Sequence, residues 1–295
     1  AKLYPEVLTF GKGCGRYIAW GVFERAEGFG GDYIEQMKNR YMPMGVLDEN
    51  LNVSDVQENL ITEYVGHSWY KGEDTYTSPY FTTEPEFTEY NVEDRYSWVK
   101  CPAYDGKPME AGSMARLFSA YVRGVPFIVD QVDGLLETLG APGDFSVAQS
   151  TLGRQIETLY IAGLMREWVD ELIEAVKSGD SEYFRAPSQI SGKGTGFWEA
   201  PRGALYHSEK VVDGKIEGYQ IIIPSTWNLA PKNANGENGP LEQALIGCPV
   251  GTIDKPINAL RTVHSFDPCT ACAVHITEPA TGKSFETVTS PWGVK

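Results

Sequence analysis

Two cysteines and a histidine late in the sequence have the spacing of metal ligands. Cys269, Cys272 and His275 form a C-x-x-C-x-x-H pattern within the stretch DPCTACAVH. On a helical turn, positions i, i+3 and i+6 lie roughly on one side, so two thiolates can converge on one ion. Thiolate sulfur suits soft or borderline metals such as zinc, iron, nickel and copper(I). The pattern therefore favours a metal site, with a free or disulfide-bonded thiol pair as the alternative.

Other cysteine-based sites fit this sequence less well. Covalent haem attachment needs the histidine directly after the second cysteine, whereas His275 stands three residues beyond Cys272. A zinc knuckle needs a second ligand pair, but the remaining cysteines are single residues: Cys14, Cys101 and Cys248. A thioredoxin-like pair follows the first strand of a βαβ unit, and that pattern is absent here. A zinc-binding structural protein remains an alternative.

The composition is that of a sizeable acidic protein. With 295 residues, 42% of them hydrophobic, the chain is long enough to bury a large core. Its 25 basic and 40 acidic residues give a formal net charge of −15. This charge argues against nucleic acid or an anionic membrane surface as the main partner. No apolar run reaches the roughly eighteen residues of a membrane span.

Helical periodicity predicts most of the elements upstream of the cysteines. Helices are expected over residues 31–41, 112–123, 127–139 and 151–179. Residues 45–110 lack sustained periodicity and are rich in aromatic residues, so they are expected to be irregular. In the longest helix, apolar residues at helical spacing predict a face packed in the core: Ile156, Tyr160, Leu164, Leu172 and Val176.

The pattern changes to β-structure after Gly192. Two β-rich runs flank Asp213-Gly214, which predicts a hairpin with its turn at those residues. A short helix is expected near 241–245. No domain boundary is evident. The fold class predicted is α+β, mostly helical as a helix bundle, with a hairpin-rich C-terminal part.

Several long motifs resemble one known family. The stretch PINALRTVHSFDPCTACAVH resembles the C-terminal signature of the large subunit of [NiFe] hydrogenases. WEAPRGALYH at 198–207 and IIIPSTWNLAP at 221–231 resemble the same family in the same order. The resemblance extends upstream through DRYSWVKCPAYDGKPMEAGSMARL and GRQIETLYIAGLMREW. It therefore implies the C-terminal portion of a [NiFe] hydrogenase large, catalytic subunit of the respiratory uptake type.

The resemblance implies a role for each metal-ligand candidate. Cys269 would be a terminal thiolate ligand of nickel, and Cys272 would bridge nickel and iron. His275 would bind a nearby magnesium or iron ion, which the backbone carbonyl near Ile221 would also face. The iron would carry carbon monoxide and cyanide as ligands.

The same resemblance implies a pocket around these metals. Arg202 would stand over the metal pair, with Asp267 close enough to pair with it or orient it. Pro201 and Leu205 would form the wall around the carbon monoxide ligand. A cyanide ligand would accept hydrogen bonds from Pro224 and Ser225, through backbone N–H or hydroxyl. A guanidinium held by a carboxylate supplies a fixed positive field that water cannot reproduce.

Two features depart from the family pattern. Residues 1–266 contain no second C-x-x-C, so the other two nickel thiolates are expected from another polypeptide or segment. The domain would cover residues 1–275, and residues 276–295 would be the extension that a maturation peptidase removes. An ordinary turn-and-strand ending is the alternative for that tail.

The resemblance also implies an activity and partners. The activity is reversible heterolytic oxidation of H₂ to protons and electrons, and the electrons pass to an iron–sulfur small subunit. Nickel chaperones would assist maturation. The location would be periplasmic or membrane-associated through the small subunit, or cytoplasmic for an unprocessed precursor. A metal-free maturation client without turnover is the alternative.

Overall fold

The protein is described by a computed structural model. It describes residues 5–25, 32–71, 86–90, 92–139, 146–180, 184, 191–252, 255–268, 273–277, 282 and 284–288. For residues 138–139, 273–277 and 284–288 only the backbone is described.

The helices lie mainly in the middle of the chain, as predicted. In chain order they are α1 Tyr33–Lys38, α2 Ser113–Val122, α3 Pro126–Leu139, α4 Val147–Ser178, α5 Pro224–Asn228, α6 Pro240–Leu245 and α7 Ile257–Ser265. Short 3₁₀ turns occur at Pro5–Leu8 and Glu58–Leu60. The predicted helices are therefore confirmed, with α1 shorter than expected and α4 beginning four residues earlier.

The strands form four small antiparallel sheets in the described part of the chain. They are β1 Tyr17–Ala19, β2 Gly45–Leu47, β3 Val53–Ser54, β4 Ile61–Tyr64, β5 Cys101–Tyr104, β6 Gly192–Ala200, β7 Gly203–Val212, β8 Lys215–Ile222, β9 Ala273–Thr277 and β10 Ser284–Val288. The pairing orders are β1-β2-β3, β4-β5, β6-β7-β8 and β9-β10. The predicted hairpin is confirmed as β7–β8, with Asp213 and Gly214 both at positive φ, 49° and 73°. Residues 45–110 thus contain four short strands where irregular structure was expected.

Local capping explains where the long helix α4 begins and ends. Gln149 Oε1 accepts a hydrogen bond from the backbone N–H of Ser146 at 2.9 Å, as in a capping box. At the other end, Gly179 adopts a left-handed conformation with φ 80°, which terminates the helix. Residues at the two ends of α4 therefore determine where this helix begins and ends.

The cores lie on either side of α2. Trp20, Phe197 and Trp227 are buried together where the β6-β7-β8 sheet meets β1 and α5. The second core lies between α2, α3 and α4 and includes Leu117 and Ile128. This packing confirms the mixed α+β class and the helix-bundle part.

The predicted core face of α4 holds only in its first half. Leu164 is buried and Ile156 and Tyr160 pack against the second core. Leu172 and Val176 are 63% and 68% exposed, so the prediction that they are core residues was wrong for this chain. Tyr160 stacks on Phe127 near the first residues of α3, and no described element covers the apolar face of α4 around Leu172 and Val176. No described helix has the length and apolar character needed to cross a membrane.

Candidate active site

A tight turn between β6 and β7 places Arg202. Ala200 pairs with Gly203, so Pro201 and Arg202 are the two residues of the connection. Proline at the first of these positions and glycine after the second are typical of a β-turn. Arg202 is half-buried and Pro201 is exposed. The A-P-R-G motif therefore presents an arginine at the tip of a hairpin.

The same sheet carries two further predicted residues. Leu205 lies in β7 opposite Trp198 and is half-buried. Ile221 lies in β8 opposite His207, with 40% of its surface exposed. Both residues belong to the face of the sheet that points away from the core of Tyr206 and Ile222.

Helix α5 holds Pro224 and Ser225 in a buried position. Proline at the first helical position suits a helix start, since its missing N–H would have no partner there. At the other end of α5, Asn228 Oδ1 accepts from Ala111 N at 2.9 Å, and its Nδ2 donates to Ala111 O at 2.9 Å. This pair of bonds ties α5 to the segment that leads into α2.

Asp267 follows α7 in a left-handed conformation. Its φ is 49°, and its backbone N–H donates to His264 O at 3.0 Å. Aspartate tolerates this region better than most non-glycine residues. The reversal directs the carboxylate to the hairpin tip, where its Oδ1 lies 3.6 Å from Arg202 Nε. The predicted proximity of Arg202 and Asp267 is thus confirmed.

These residues share one small cleft of about 30 Å³. Its walls include the segment 110–114, Pro201, Arg202 and the end of α7 through Asp267. Of the predicted site residues, Pro201, Arg202 and Asp267 therefore come together. Leu205, Ile221, Pro224 and Ser225 are not among the cleft-lining residues that are described.

Two ionisable residues of the cleft were not singled out from the sequence. Arg154 on α4 donates through Nη2 to His264 O at 3.1 Å and also to Ser265 O, so it satisfies the end of α7. Burial lowers the pKa of Arg154, opposed by the nearby charge of Asp267. The carboxylate of Asp267 thus interacts electrostatically with the guanidinium groups of both Arg202 and Arg154.

Glu110 is the second such residue. Its Oε1 accepts a hydrogen bond from Gly15 N at 3.0 Å, and a Cβ at Gly13 would overlap the carboxylate. Burial raises the pKa of Glu110 from 4.5 to about 7. A carboxyl group with such a pKa can gain or lose a proton near neutral pH. The only sequence signal was its place in the quoted stretch KPMEAGSMAR.

A buried ion network lies directly behind the hairpin tip. Arg116 on α2 contacts Glu157 on α4 and Glu199 on β6, and all three side chains are at most 8% exposed. Burial raises the pKa of Glu199 to about 7, although Arg116 opposes the rise. The available sequence signal was Arg116 between the apolar residues Ala115 and Leu117 of α2, and it was not used to predict a buried ion pair.

A second buried polar cluster lies beside Ile221. Lys100 Nζ donates to Glu63 Oε2 at 3.0 Å and to Gln220 Oε1 at 3.2 Å. Burial raises the pKa of Glu63, opposed by the Lys100 ammonium. The cluster joins the β4-β5 sheet to β8, so it fixes the strand in which Ile221 lies.

The metal-ligand candidates themselves are described only in part. Cys269 and Cys272 lie outside the described residues. The backbone of His275 lies in β9, opposite Glu286 of β10, so the tail continues from the metal motif as a hairpin. Within the described residues, no group of three or more His, Cys, Asp or Glu is placed to hold a metal. The donor chemistry of this chain thus fits a nickel–iron centre in part, through two thiols of the sequence.

Comparison with known proteins agrees with the family that the motifs resemble. The family model of nickel-dependent hydrogenases matches residues 1–275. The chain therefore belongs to the nickel-dependent hydrogenase family. It is 34% identical to the hydrogenase-2 large chain of Escherichia coli K12, over 94% of this chain and 51% of that protein. It is 36% identical to the uptake hydrogenase large subunit of Rhodobacter capsulatus, over 80% of this chain and 44% of that protein.

Solved structures give the same result for the fold. The reduced, active Ni-Fe-Se hydrogenase of Desulfomicrobium baculatum matches with a TM-score of 0.74 and 33% identity, over 90% of this chain and 53% of that one. The reduced Ni-Fe-Se hydrogenase of D. vulgaris Hildenborough matches with a TM-score of 0.74 and 31% identity, over 90% and 54%. The family and fold predicted from the motifs are confirmed. The chain spans about half the length of the curated relatives that it matches first.

Proposed function

We propose that this chain is the C-terminal portion of a [NiFe] hydrogenase large subunit of the uptake type, which catalyses reversible oxidation of H₂. The observation that carries the proposal is the Arg202–Asp267 pair in the cleft beside the D-P-C-x-x-C motif. The family match over residues 1–275 supports it.

In this proposal Cys269 and Cys272 would be the residues of this chain that hold the nickel–iron centre, whose iron would carry carbon monoxide and cyanide. When bound, such a centre supplies a Lewis acid for the heterolytic cleavage of H₂. The other two thiolates come from a segment outside residues 1–295, on the same or another polypeptide. The reason is that residues 1–266 contain no C-x-x-C.

The side chains of the cleft, and Leu205, Pro224 and Ser225 outside its described lining, would then have separate tasks. Arg202 contributes a fixed positive charge beside the reacting gas, and Asp267 orients its guanidinium. Pro201 limits access of water, and Leu205 does the same from β7. Pro224 has no N–H to donate, so at the start of α5 only Ser225 would donate to cyanide, through its backbone N–H or hydroxyl. Glu110 can hold a proton on its carboxyl group, since its pKa of about 7 is near ambient pH.

The proposal includes a second ion and the tail. His275, with the carbonyl near Ile221, binds magnesium or iron. Residues 276–295 form an extension removed by a maturation peptidase after a chaperone has delivered nickel. In the described backbone β10 pairs with β9, so the extension contacts the strand in which His275 lies.

Partners and location belong to the same proposal. Electrons pass to an iron–sulfur small subunit, and the complex is periplasmic or membrane-associated through that subunit. An unprocessed precursor is cytoplasmic.

Cysteine substitutions test the proposal. The chain is expressed in a hydrogenase-maturing host as Cys269→Ser, Cys272→Ser or Cys248→Ser, and the purified complexes are assayed for nickel and for H₂-dependent dye reduction. Cys269→Ser and Cys272→Ser should each lose nickel and activity. Cys248→Ser should keep nickel and activity, because Cys248 lies in a separate apolar cluster. Retention of nickel and activity in Cys269→Ser would overturn the proposal.

A further inference from the structure

The turn that carries Arg202 has an unusual conformation for its length. Two-residue hairpin connections favour positive φ at their central residues, because that twist matches the strands. The next hairpin follows this rule, with positive φ at Asp213 and Gly214. Pro201 cannot, since its ring fixes φ near −65°. Arg202 is not among the described non-glycine residues with positive φ. This turn therefore needs support from outside the hairpin.

Arg116 supplies that support. Its Nη1 donates to Ala200 O at 3.3 Å and its Nη2 donates to Pro201 O at 3.0 Å. These are the two backbone carbonyls that directly precede Pro201 and Arg202. The guanidinium thus holds the backbone on both sides of the proline, and its side chain is only 4% exposed.

The guanidinium is itself fixed by two carboxylates. Glu157 on α4 accepts from Nε and from Nη2, the latter at 2.9 Å, and Glu199 accepts from Nη1 at 2.7 Å. The other oxygen of Glu199 accepts from Trp20 N at 2.7 Å. A planar fork of five N–H donors suits this arrangement, whereas a lysine ammonium has only three. The network therefore links α2, α4 and β6 at one point.

Close backbone packing makes the turn sensitive to this network. A Cβ at Gly203, whose φ is 128°, would lie 2.4 Å from Gly112 N. A Cβ at Gly112 would lie 3.2 Å from Arg202 O. The turn thus packs directly against the start of α2, the helix that bears Arg116.

We propose that Arg116 is a positioning residue for Arg202: it fixes the carbonyls of the turn so that the Arg202 side chain reaches Asp267. That Arg202 matters for activity rests on the proposed function. That Arg116 positions the turn of Arg202 rests only on the contacts of the chain. A test on the metal-free chain therefore separates failure of this inference from failure of the proposed function.

The test compares Arg116→Lys with Arg123→Lys. Arg123 lies just after the other end of α2 and likewise bonds a carboxylate and a carbonyl, Asp55 and Met44 O, both at 2.6 Å. Two readouts are used: amide hydrogen exchange of the peptide covering residues 198–205, and the rate at which phenylglyoxal modifies Arg202. Asp267→Asn provides the reference rate for an Arg202 without its carboxylate.

We expect Arg116→Lys to speed exchange in the turn about tenfold, the effect of losing one charge-assisted hydrogen bond. Modification of Arg202 should approach the Asp267→Asn rate. Arg123→Lys should leave both readouts at the wild-type level. If Arg116→Lys and Arg123→Lys gave equal exchange and modification rates, the inference would be overturned, whether or not either variant is less stable than the wild type.

A second variant covers the case in which Arg116→Lys does not fold. Glu199→Gln keeps an acceptor for Trp20 N but removes one of the two charges that fix Arg116. Turn exchange should rise about threefold, less than on replacing the arginine. Unchanged exchange in this variant would contradict the inference.

Discussion

Arg202 Nε lies 3.6 Å from Asp267 Oδ1, so a hairpin tip and the end of a helix meet as an ion pair at the mouth of a cleft. The two side chains are 37% and 47% exposed. Within the described residues Arg202 Nε has no hydrogen-bond partner, although it is itself shielded from solvent. The pair therefore contributes little to the stability of the fold, and the task proposed for it is to orient the guanidinium.

Replacing Asp267 with asparagine should separate these two effects. Because the pair is partly exposed, Asp267→Asn should change the free energy of unfolding by less than about 1 kcal/mol. Hydrogen-dependent dye reduction by the assembled enzyme should fall on the order of tenfold to a hundredfold, because the guanidinium loses its fixed orientation. Urea denaturation and the dye assay measure the two quantities. Full activity in this variant would refute an orienting role.

The left-handed backbone at residue 267 gives a second expectation. Alanine and glycine both remove the carboxylate, but only alanine has a Cβ that is strained at φ 49°. Asp267→Ala should therefore be less stable than Asp267→Gly by about 1 kcal/mol. Thermal or urea unfolding of the two variants provides the comparison. Equal stabilities would mean that the loop relaxes out of this conformation.

Glu110 should make stability depend on pH. Its pKa in the folded chain is raised from 4.5 to about 7, so the folded state holds the proton more tightly than the unfolded state. The stabilisation is present below pH 4.5 and is lost as pH rises to about 7, by up to roughly 3 kcal/mol.

Glu110→Gln is the matched control for this titration, since glutamine keeps an acceptor for Gly15 N. The free energy of unfolding of the wild type minus that of the variant is measured from pH 4 to 8. This difference should fall as pH rises, because only the wild type loses the proton of Glu110. Other titrating groups, including Glu199, cancel in this difference. A flat difference would show that the pKa of Glu110 is the same in the folded and the unfolded chain, and would contradict the raised pKa.

The tail offers a fourth test. Strands β9 and β10 pair only with each other among the described strands, and an isolated two-stranded hairpin is marginal in water. Ending the chain at His275 should therefore change Tm by less than about 2 °C, while amide protection over residues 273–275 is lost. Calorimetry and hydrogen exchange measure these outcomes. A decrease of more than about 5 °C would mean that the tail stabilises the rest of the chain.

Local signals predicted the parts of the fold that depend on local sequence. The ends of α2 and α3 agree with their apolar spacing within one residue. The Asp213-Gly214 turn could be placed because its conformation requires those residue types. The role of the A-P-R-G motif came from family resemblance, since an isolated arginine in a turn carries no chemistry of its own.

Long-range pairing explains what the sequence did not reveal. Strands β1 to β5 are two to four residues long and have too few residues to show a period of two. Strand β6 alternates glycine along GKGTG and forms through its partner β7. Glu110 and Arg154 of the cleft, and Arg116 behind it, come from separate segments that meet only in the folded chain. Leu172 and Val176 are exposed because none of the described elements packs on their side of α4, and periodicity cannot reveal whether such a partner exists.

In the proposed function Cys269 and Cys272 of this chain supply two of the four thiolates of a nickel–iron centre. The most direct measurement is to purify the tagged chain from its native host and determine metal content, co-purifying polypeptides and H₂-dependent dye reduction together. We expect nickel, iron and activity only in fractions that contain a second C-x-x-C-bearing segment. Activity of the chain of residues 1–295 alone, or stoichiometric zinc without nickel, would contradict the account.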